Sequence, residues 1–277
     1  MTRRIVQGGA HFSIREERNE QAAIATVRAA YDAGVRRFDT ARAYATIDDP
    51  AHNERLLARA LAGRDEAFIA TKGGHYRVDQ GTWAHDSSPA RLRADAELSR
   101  RVLGVDALDL FFLHKPDGMT PVEDSVAALD ELRRDGIVRR IGVSNVSLDE
   151  FERSMAVAHL DAVQTKFSPL EYSGSGVRDR ARDLGVEYWG YSPLGGSRFR
   201  AEVSAGLPSA HAAAAQLSLS FAHVVLAWLL AIDEHAFVIT GAGSPQSARD
   251  SAAAATTTLP SDVVAAISAE AQALALD

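Results

Sequence analysis

Short apolar runs alternate along this chain with longer stretches in which hydrophobic residues recur every three or four positions. The short runs predict eight strands: "RIVQGG" from Arg4, "VRRFDTA" from Val35, "AFIATKGG" from Ala67, "LDLFFLHK" from Leu108, "VRRIGVSN" from Val138, "AVQTKFS" from Ala162, "VEYWGYSPL" from Val186 and "FVITGAG" from Phe237. The periodic stretches between them, such as "NEQAAIATVRAAYDAG", "SPARLRADAELSRRVLG" and "VEDSVAALDELRRDG", predict helices, several of which stop at a glycine with an arginine nearby. Strand–helix alternation implies parallel strands joined by helical crossovers, at about thirty residues per unit. Eight such units nearly exhaust the chain, so the pattern predicts an α/β fold: a (β/α)8 barrel (TIM barrel) forming a single domain over residues 1–277. A doubly wound sheet would use the same units but place a glycine-rich turn directly after the first strand, opening a helix, and "QGGAHF" lacks that pattern. The tail from Ala248 reads as two helices broken at Pro260. "GGHYRVDQGTWAHD" and "GGSRFRAEVSAGLPSAH" read as long loops after strands three and seven.

The chemistry of such a barrel sits at the C-terminal ends of its strands. Strand two ends at Asp39, with Tyr44 in the loop beyond it. Strand three places Lys72 on the face of Phe68 and Ala70, and strand four places His114 on the face of Leu110 and Phe112. Strand five ends in Ser144 and Asn145, strand six carries Gln164, and strand seven carries Tyr191 and Ser192. Singly, a strand-end lysine reads as a snorkelling charge and a lone histidine as a structural one. Arg37 also shares the parity of Asp39, so the inward face of strand two is not uniformly apolar. Three successive strands that end in ionisable groups, with a phenol after the first, outweigh those readings.

Asp, Lys, Tyr and His around one cavity suit the delivery of a proton to oxygen. A phenol titrates at about 10 and is a poor acid at neutral pH. A neighbouring ammonium is expected to lower that pKa, with the carboxylate holding the ammonium in place and the imidazole orienting a carbonyl. With no thiol and no metal cluster in the sequence, the partner that attacks carbon is expected to be a hydride.

Composition narrows the alternatives. A net charge of −7 with no basic run longer than two residues argues against nucleic-acid binding. The absence of cysteine excludes disulfides and thiolate nucleophiles. The longest apolar run, Val224 to Ile232, is too short for a membrane span, and "MTRRIVQGGAHFS" lacks the apolar core of a signal peptide, so a cytoplasmic location is expected. A metal-dependent barrel hydrolase would need clustered ligands such as a His-x-His pair, which is missing, and no metal site is expected. His52, His85, His159, His211 and His235 are expected to face solvent, and His11 and His75 to lie near the substrate mouth.

In "GVRRFDTARAY", "ATKGG", "LGVDALDLFFLHKPD", "ALDELRRDGIVRRIGVSN", "AVQTKFSPLE", "YSPLGG" and "VLAWLLA", taken in that order, the chain resembles the aldo-keto reductase family along nearly its whole length. The resemblance implies a (β/α)8 barrel and nicotinamide-dependent interconversion of small-molecule carbonyls and alcohols. It implies a catalytic tetrad of Asp39, Tyr44, Lys72 and His114, with Tyr44 as general acid. Nicotinamide contacts fall on Ser144, Asn145 and Gln164, ring stacking on Tyr191, and pyrophosphate-side positions on Ser192 and Leu194. The adenosine end falls on Gly241, Ser247, Asp250 and Ser251. The chain departs from the family at Ala45, where a glycine is common, at Thr240, and in "SPQSARDSA", which lacks the usual basic residue and Glu-Asn pair. NADP(H) is therefore the expected cofactor, with a weakened preference over NAD(H). The alternative reading is a non-catalytic binding or regulatory subunit that keeps the fold. Substrate identity and oligomeric state are not legible in the sequence.

Overall fold

The computed structural model describes residues 4–14, 19–79, 82–172 and 176–275. All eight expected barrel strands form, and two more lie outside the barrel. In chain order the strands are β1 (Ile5–Gly8), β2 (Arg37–Asp39), β3 (Phe68–Gly73), β4 (His75–Asp79), β5 (Thr82–His85), β6 (Leu110–Leu113), β7 (Ile141–Ser144), β8 (Ala162–Lys166), β9 (Glu187–Tyr191) and β10 (Ala236–Thr240). The closed sheet runs β1-β10-β9-β8-β7-β6-β3-β2 with every pairing parallel, and closure comes from Ile5 opposite Val238. Strands β4 and β5 form a separate antiparallel hairpin where the sequence reads as a loop. The expected loop after β9 likewise carries two helices, Gly196–Gly206 and Pro208–Leu217. Gly195 turns the chain into the first of them at φ +79°, where an added Cβ would lie 2.9 Å from the Phe199 carbonyl oxygen.

Strand alternation divides the interior in two. Outward residues such as Phe38, Phe111, Leu113 and Val143 pack under the helices. Inward residues Val6, Ala70, Leu110, Phe112, Ala162, Trp189 and Ile239 fill the barrel itself. The parity of Arg37 has a physical account here, because its side chain closes the barrel floor. The guanidinium makes a two-pronged contact with Glu187 at 3.0 and 3.2 Å and lies 4.2 Å from the Phe237 ring centroid and 4.9 Å from that of Phe68. Trp189 donates its indole N–H to the same carboxylate at 3.0 Å. The inward faces thus run from an ion pair at the floor, through an apolar middle, to ionisable groups at the rim.

Helix ends follow the local chemistry. Ser88 caps Pro89–Leu103 by accepting from the Arg91 amide, and Gly104 ends that helix in the left-handed conformation. Ser147 and Glu150 form a reciprocal capping box on Leu148–Val157, just beyond the rim of β7.

Candidate active site

The three inward ionisable groups expected from β2, β3 and β6 meet at the C-terminal rim. Lys72 is fully buried, and its Nζ donates to Asp39 Oδ2 at 2.6 Å, to the Thr40 carbonyl at 2.9 Å and to Tyr44 Oη at 3.4 Å. Gln164 on β8 donates to the other Asp39 oxygen at 2.9 Å. The carboxylate therefore has both oxygens occupied, one by the ammonium and one by the carboxamide. His114, just past β6, meets the Tyr44 ring edge-on with centroids 5.8 Å apart. Its Nδ1 is buried with no hydrogen-bond partner among the described residues.

The electrostatics differ in one respect from the sequence reading. The Lys72 ammonium was expected to lower the Tyr44 pKa, but here the phenol is pushed well above its usual value by burial, with the Asp39 carboxylate adding to the effect. Burial also lowers the Lys72 pKa, against the opposing pull of Asp39. A lysine neutralised by a carboxylate at 2.6 Å offers little net positive field to a phenol farther off. Burial then wins. His114 is held well below the ordinary histidine range by burial first, and by Lys72, His75 and His85 next. His75 falls to about 4 for the same leading reason. The imidazoles beside Tyr44 are accordingly neutral at physiological pH.

The expected nicotinamide contacts cluster on the next three strands. Asn145 takes a left-handed backbone at φ 57°, which turns its side chain back across the rim. Its Nδ2 donates to the His114 carbonyl and to Ser144 Oγ, each at 3.0 Å, and its Oδ1 accepts from the Tyr191 hydroxyl. A hydroxyl, two carboxamides and a phenol therefore sit together at the ends of β7, β8 and β9, with Gln164 bonded directly to Asp39. This donor set suits a flat ring bearing an amide. Ser192 also has a left-handed backbone, at φ 57°, directly after β9, whereas Leu194 packs against the outer core.

The adenosine-end expectations divide. Gly241 is open, since an added Cβ would meet nothing nearer than His11 Nδ1 at 3.9 Å, so a ligand can approach the backbone there. Ser247 is engaged in a capping box with Ser244 at the start of helix Pro245–Ala254. Asp250 is turned away to His223 Nδ1 at 2.9 Å and to the Ser220 hydroxyl, and Ser251 is buried. The side chains of Asp250 and Ser251 thus serve packing between helices. On the nicotinamide side and at Gly241 the residues fit a nicotinamide dinucleotide.

Other expectations need correction. His52 is not simply solvent-facing, because its ring bonds Ser13 Oγ at 2.8 Å and Glu20 at 3.1 Å. His75 sits in the hairpin with its ring between those of His85 and His114, at centroid distances of 4.3 and 4.8 Å. The hairpin is fastened to the Tyr44 loop, where Arg77 donates to the Ala45 carbonyl at 3.0 Å and Trp83 to that of Ala43 at 3.4 Å.

The chain matches the Aldo/keto reductase family over residues 4–271. It belongs to that family. As an aldo-keto reductase it is an NAD(P)H-dependent oxidoreductase. It is 31% identical over 192 residues to an aldo-keto reductase of Gibberella moniliformis, a match covering 68% of this chain and 57% of that protein. It is 30% identical over 257 residues to pyridoxine 4-dehydrogenase of Escherichia coli, covering 90% and 87% of the two chains. Among solved structures, the glycerol dehydrogenase of Gluconobacter oxydans shares the fold at a TM-score of 0.82 and 23% identity, over 96% of this chain and 90% of that one. An aldo-keto reductase of Klebsiella pneumoniae solved with NADPH shares it at 0.79 and 24%, over 95% and 88%.

Tyr191 provides a direct check of the rim. Its hydroxyl holds Asn145, and its ring is the expected stacking face. Tyr191→Ala is expected to weaken binding of a reduced nicotinamide dinucleotide more than Tyr191→Phe, which keeps the ring. Fluorescence titration measures both, and wild-type affinity in the two variants would make Tyr191 a packing residue only.

Proposed function

We propose that this reductase interconverts an aldehyde or ketone and its alcohol, with Tyr44 as the general acid in the reducing direction. The observation that carries this reading is the contact of Tyr44 with Lys72, which is itself paired in the interior with Asp39, beside a neutral His114. The chemistry a bound nicotinamide supplies is hydride transfer to or from carbon. Ser144, Asn145 and Gln164 would hold its carboxamide, and Tyr191 would stack on its ring. Burial keeps the Tyr44 phenol protonated, which is the form that donates to a carbonyl oxygen. Lys72 Nζ lies within reach of that phenol oxygen and can stabilise the charge left on it after donation. His114, neutral and with a ring nitrogen that has no partner among the described residues, is suited to hydrogen-bonding the carbonyl.

Cofactor preference follows from the start of helix Pro245–Ala254. There is no Lys or Arg from Thr240 to Ala248, and Arg249 lies with Arg28 and Asp32 along a cavity between this helix and Glu20–Asp32. Arg198 rests on its neighbour Phe199, 4.9 Å from the ring centroid. A hydrogen bond to a charged group contributes about 1.5–3 kcal/mol, so losing one 2′-phosphate partner removes roughly ten- to a hundredfold of preference. We therefore infer a weakened preference for NADPH over NADH.

One set of measurements tests both statements. Loss of reduced-nicotinamide absorbance is followed with a panel of aldehydes that includes those derived from pyridoxine and glycerol, the compounds that the relatives' names supply. Both reduced cofactors are titrated by fluorescence. Turnover of at least one aldehyde, with the two affinities within about tenfold, is expected. Cofactor retention without turnover across the panel would favour the non-catalytic alternative. NADPH binding much more than about tenfold tighter would mean that a basic group reaches the phosphate.

A further inference from the structure

We propose that Arg42 is a positioning residue for Tyr44, acting through a buried bond to Glu54 that fixes the loop between β2 and the phenol. The inference rests on the general-acid role of Tyr44 proposed above. Arg42 stands two residues before Tyr44 and is 6% exposed, and Glu54, near the start of helix His52–Leu61, is fully buried. Arg42 Nη1 donates to Glu54 Oε2 at 2.9 Å, while its Nε lies 3.8 Å from Asp95 Oδ1. The other Glu54 oxygen accepts from the Thr71 hydroxyl at 2.7 Å, on the residue directly before Lys72. Glu54 therefore ties together the two segments that carry the phenol and the ammonium.

The neighbouring bonds make this a fastening of the whole loop. The Arg42 amide donates to the Lys72 carbonyl at 3.0 Å, and the Thr40 hydroxyl to Asn53 Oδ1 at 2.6 Å. The Thr40 carbonyl in turn accepts from Lys72 Nζ. Thr40 and Arg42 thus bond to successive residues of one helix, while the backbone between them faces Lys72. On another side, Arg42 borders a cavity of about 130 Å³ lined also by Thr46, Tyr76 and Arg77, so close packing there is incomplete. Thr40, Ala41, Ala43 and Ala45 are themselves buried, so these bonds add direction to a loop that packing already holds in place.

The choice of residue types supports a geometric role. Apolar packing at a buried ion-pair site is often neutral or better for stability, so a retained pair calls for another reason. The planar, multi-donor arginine head fixes direction as well as distance. The Tyr44 oxygen must stay within reach of Lys72, and an error of about 1 Å in such a group costs on the order of a hundredfold in rate.

The test compares Arg42→Met, Arg42→Lys and Glu54→Gln with wild type, by amide hydrogen exchange, steady-state kinetics with a reducible aldehyde, and fluorescence titration of the reduced cofactor. In Arg42→Met, exchange is expected to quicken in residues 40–46. The same variant should lose about ten- to a hundredfold in kcat, with cofactor affinity and aldehyde KM changed less than about threefold. Arg42→Lys should recover part of the rate, because it restores a cation to Glu54. If Arg42→Met fails to fold, Glu54→Gln decides. It keeps the shape and removes the charge, and it should show the same split to a smaller degree. Wild-type exchange in residues 40–46 with wild-type kcat in a folded variant overturns the proposal, as does equal loss of kcat and cofactor binding. Failure of the wild-type protein to reduce any carbonyl would overturn the general-acid reading instead, and the exchange data would still decide whether Arg42 fastens the loop.

Discussion

Tyr44→Phe is expected to lower carbonyl reduction by about 100- to 10,000-fold, the usual contribution of a positioned general acid. The substitution removes one hydroxyl and keeps the ring that meets His114 edge-on. That hydroxyl receives a single long bond from Lys72 at 3.4 Å, whereas the short bonds of Lys72 go to Asp39 and Thr40. Folding stability should therefore change little, and binding of the reduced cofactor should remain close to wild type. Steady-state kinetics with thermal melting and cofactor titration separates these effects. Near wild-type turnover in the variant would remove Tyr44 from the chemistry.

Lys72→Met is expected to abolish activity to a similar degree and, unlike Tyr44→Phe, to destabilise the fold. Lys72 and Asp39 are both buried, and the variant leaves Asp39 with its Gln164 bond but no cation. Breaking a buried pair from one side typically costs about 3–5 kcal/mol. For a chain of this size that lowers the melting midpoint by on the order of 10 °C. Part of the loss should be recovered in the double variant Lys72→Met with Asp39→Asn, which removes the stranded charge. Activity should not return, since the group that stabilises the phenol oxygen is still missing. A single variant as stable as wild type would mean that solvent reaches Asp39.

Much of the rim could be read from spacing alone. Period-two alternation carries Asp39, Lys72 and His114 inward, because Ala70, Leu110 and Phe112 on the same faces are apolar and fill the barrel. Arg37 broke that pattern for a reason that lies across the barrel: its partner Glu187 is on β9 and invisible to local periodicity. The β4–β5 hairpin is hard to read because "HYRVD" and "TWAH" are short, polar at most positions and bury no continuous face, although Tyr76 and Val78 alternate with polar neighbours. Asp250 looked free for a ligand because its partner His223 belongs to the preceding helix, a relation set by helix packing. Arg42 gives no signal in the sequence for the same kind of reason. The loop between it and Glu54 hides the pairing, and only the fold brings the arginine and the carboxylate together.

Barrel closure also bears on how the chain is made. Strand β1 pairs with β2 on one side and with β10 on the other, so its second edge is satisfied only by Ala236–Thr240. As the chain leaves the ribosome, β2, β3 and then β6 to β9 can join the growing sheet in turn while β1 keeps an exposed edge. The segments bearing Asp39, Lys72 and His114 emerge long before the glycines beside the expected dinucleotide rim. A nascent chain paused before β10 would hold these reactive side chains in an open sheet with two free edges, the form most exposed to pairing with other chains. Synthesis of a single late strand removes both edges at once.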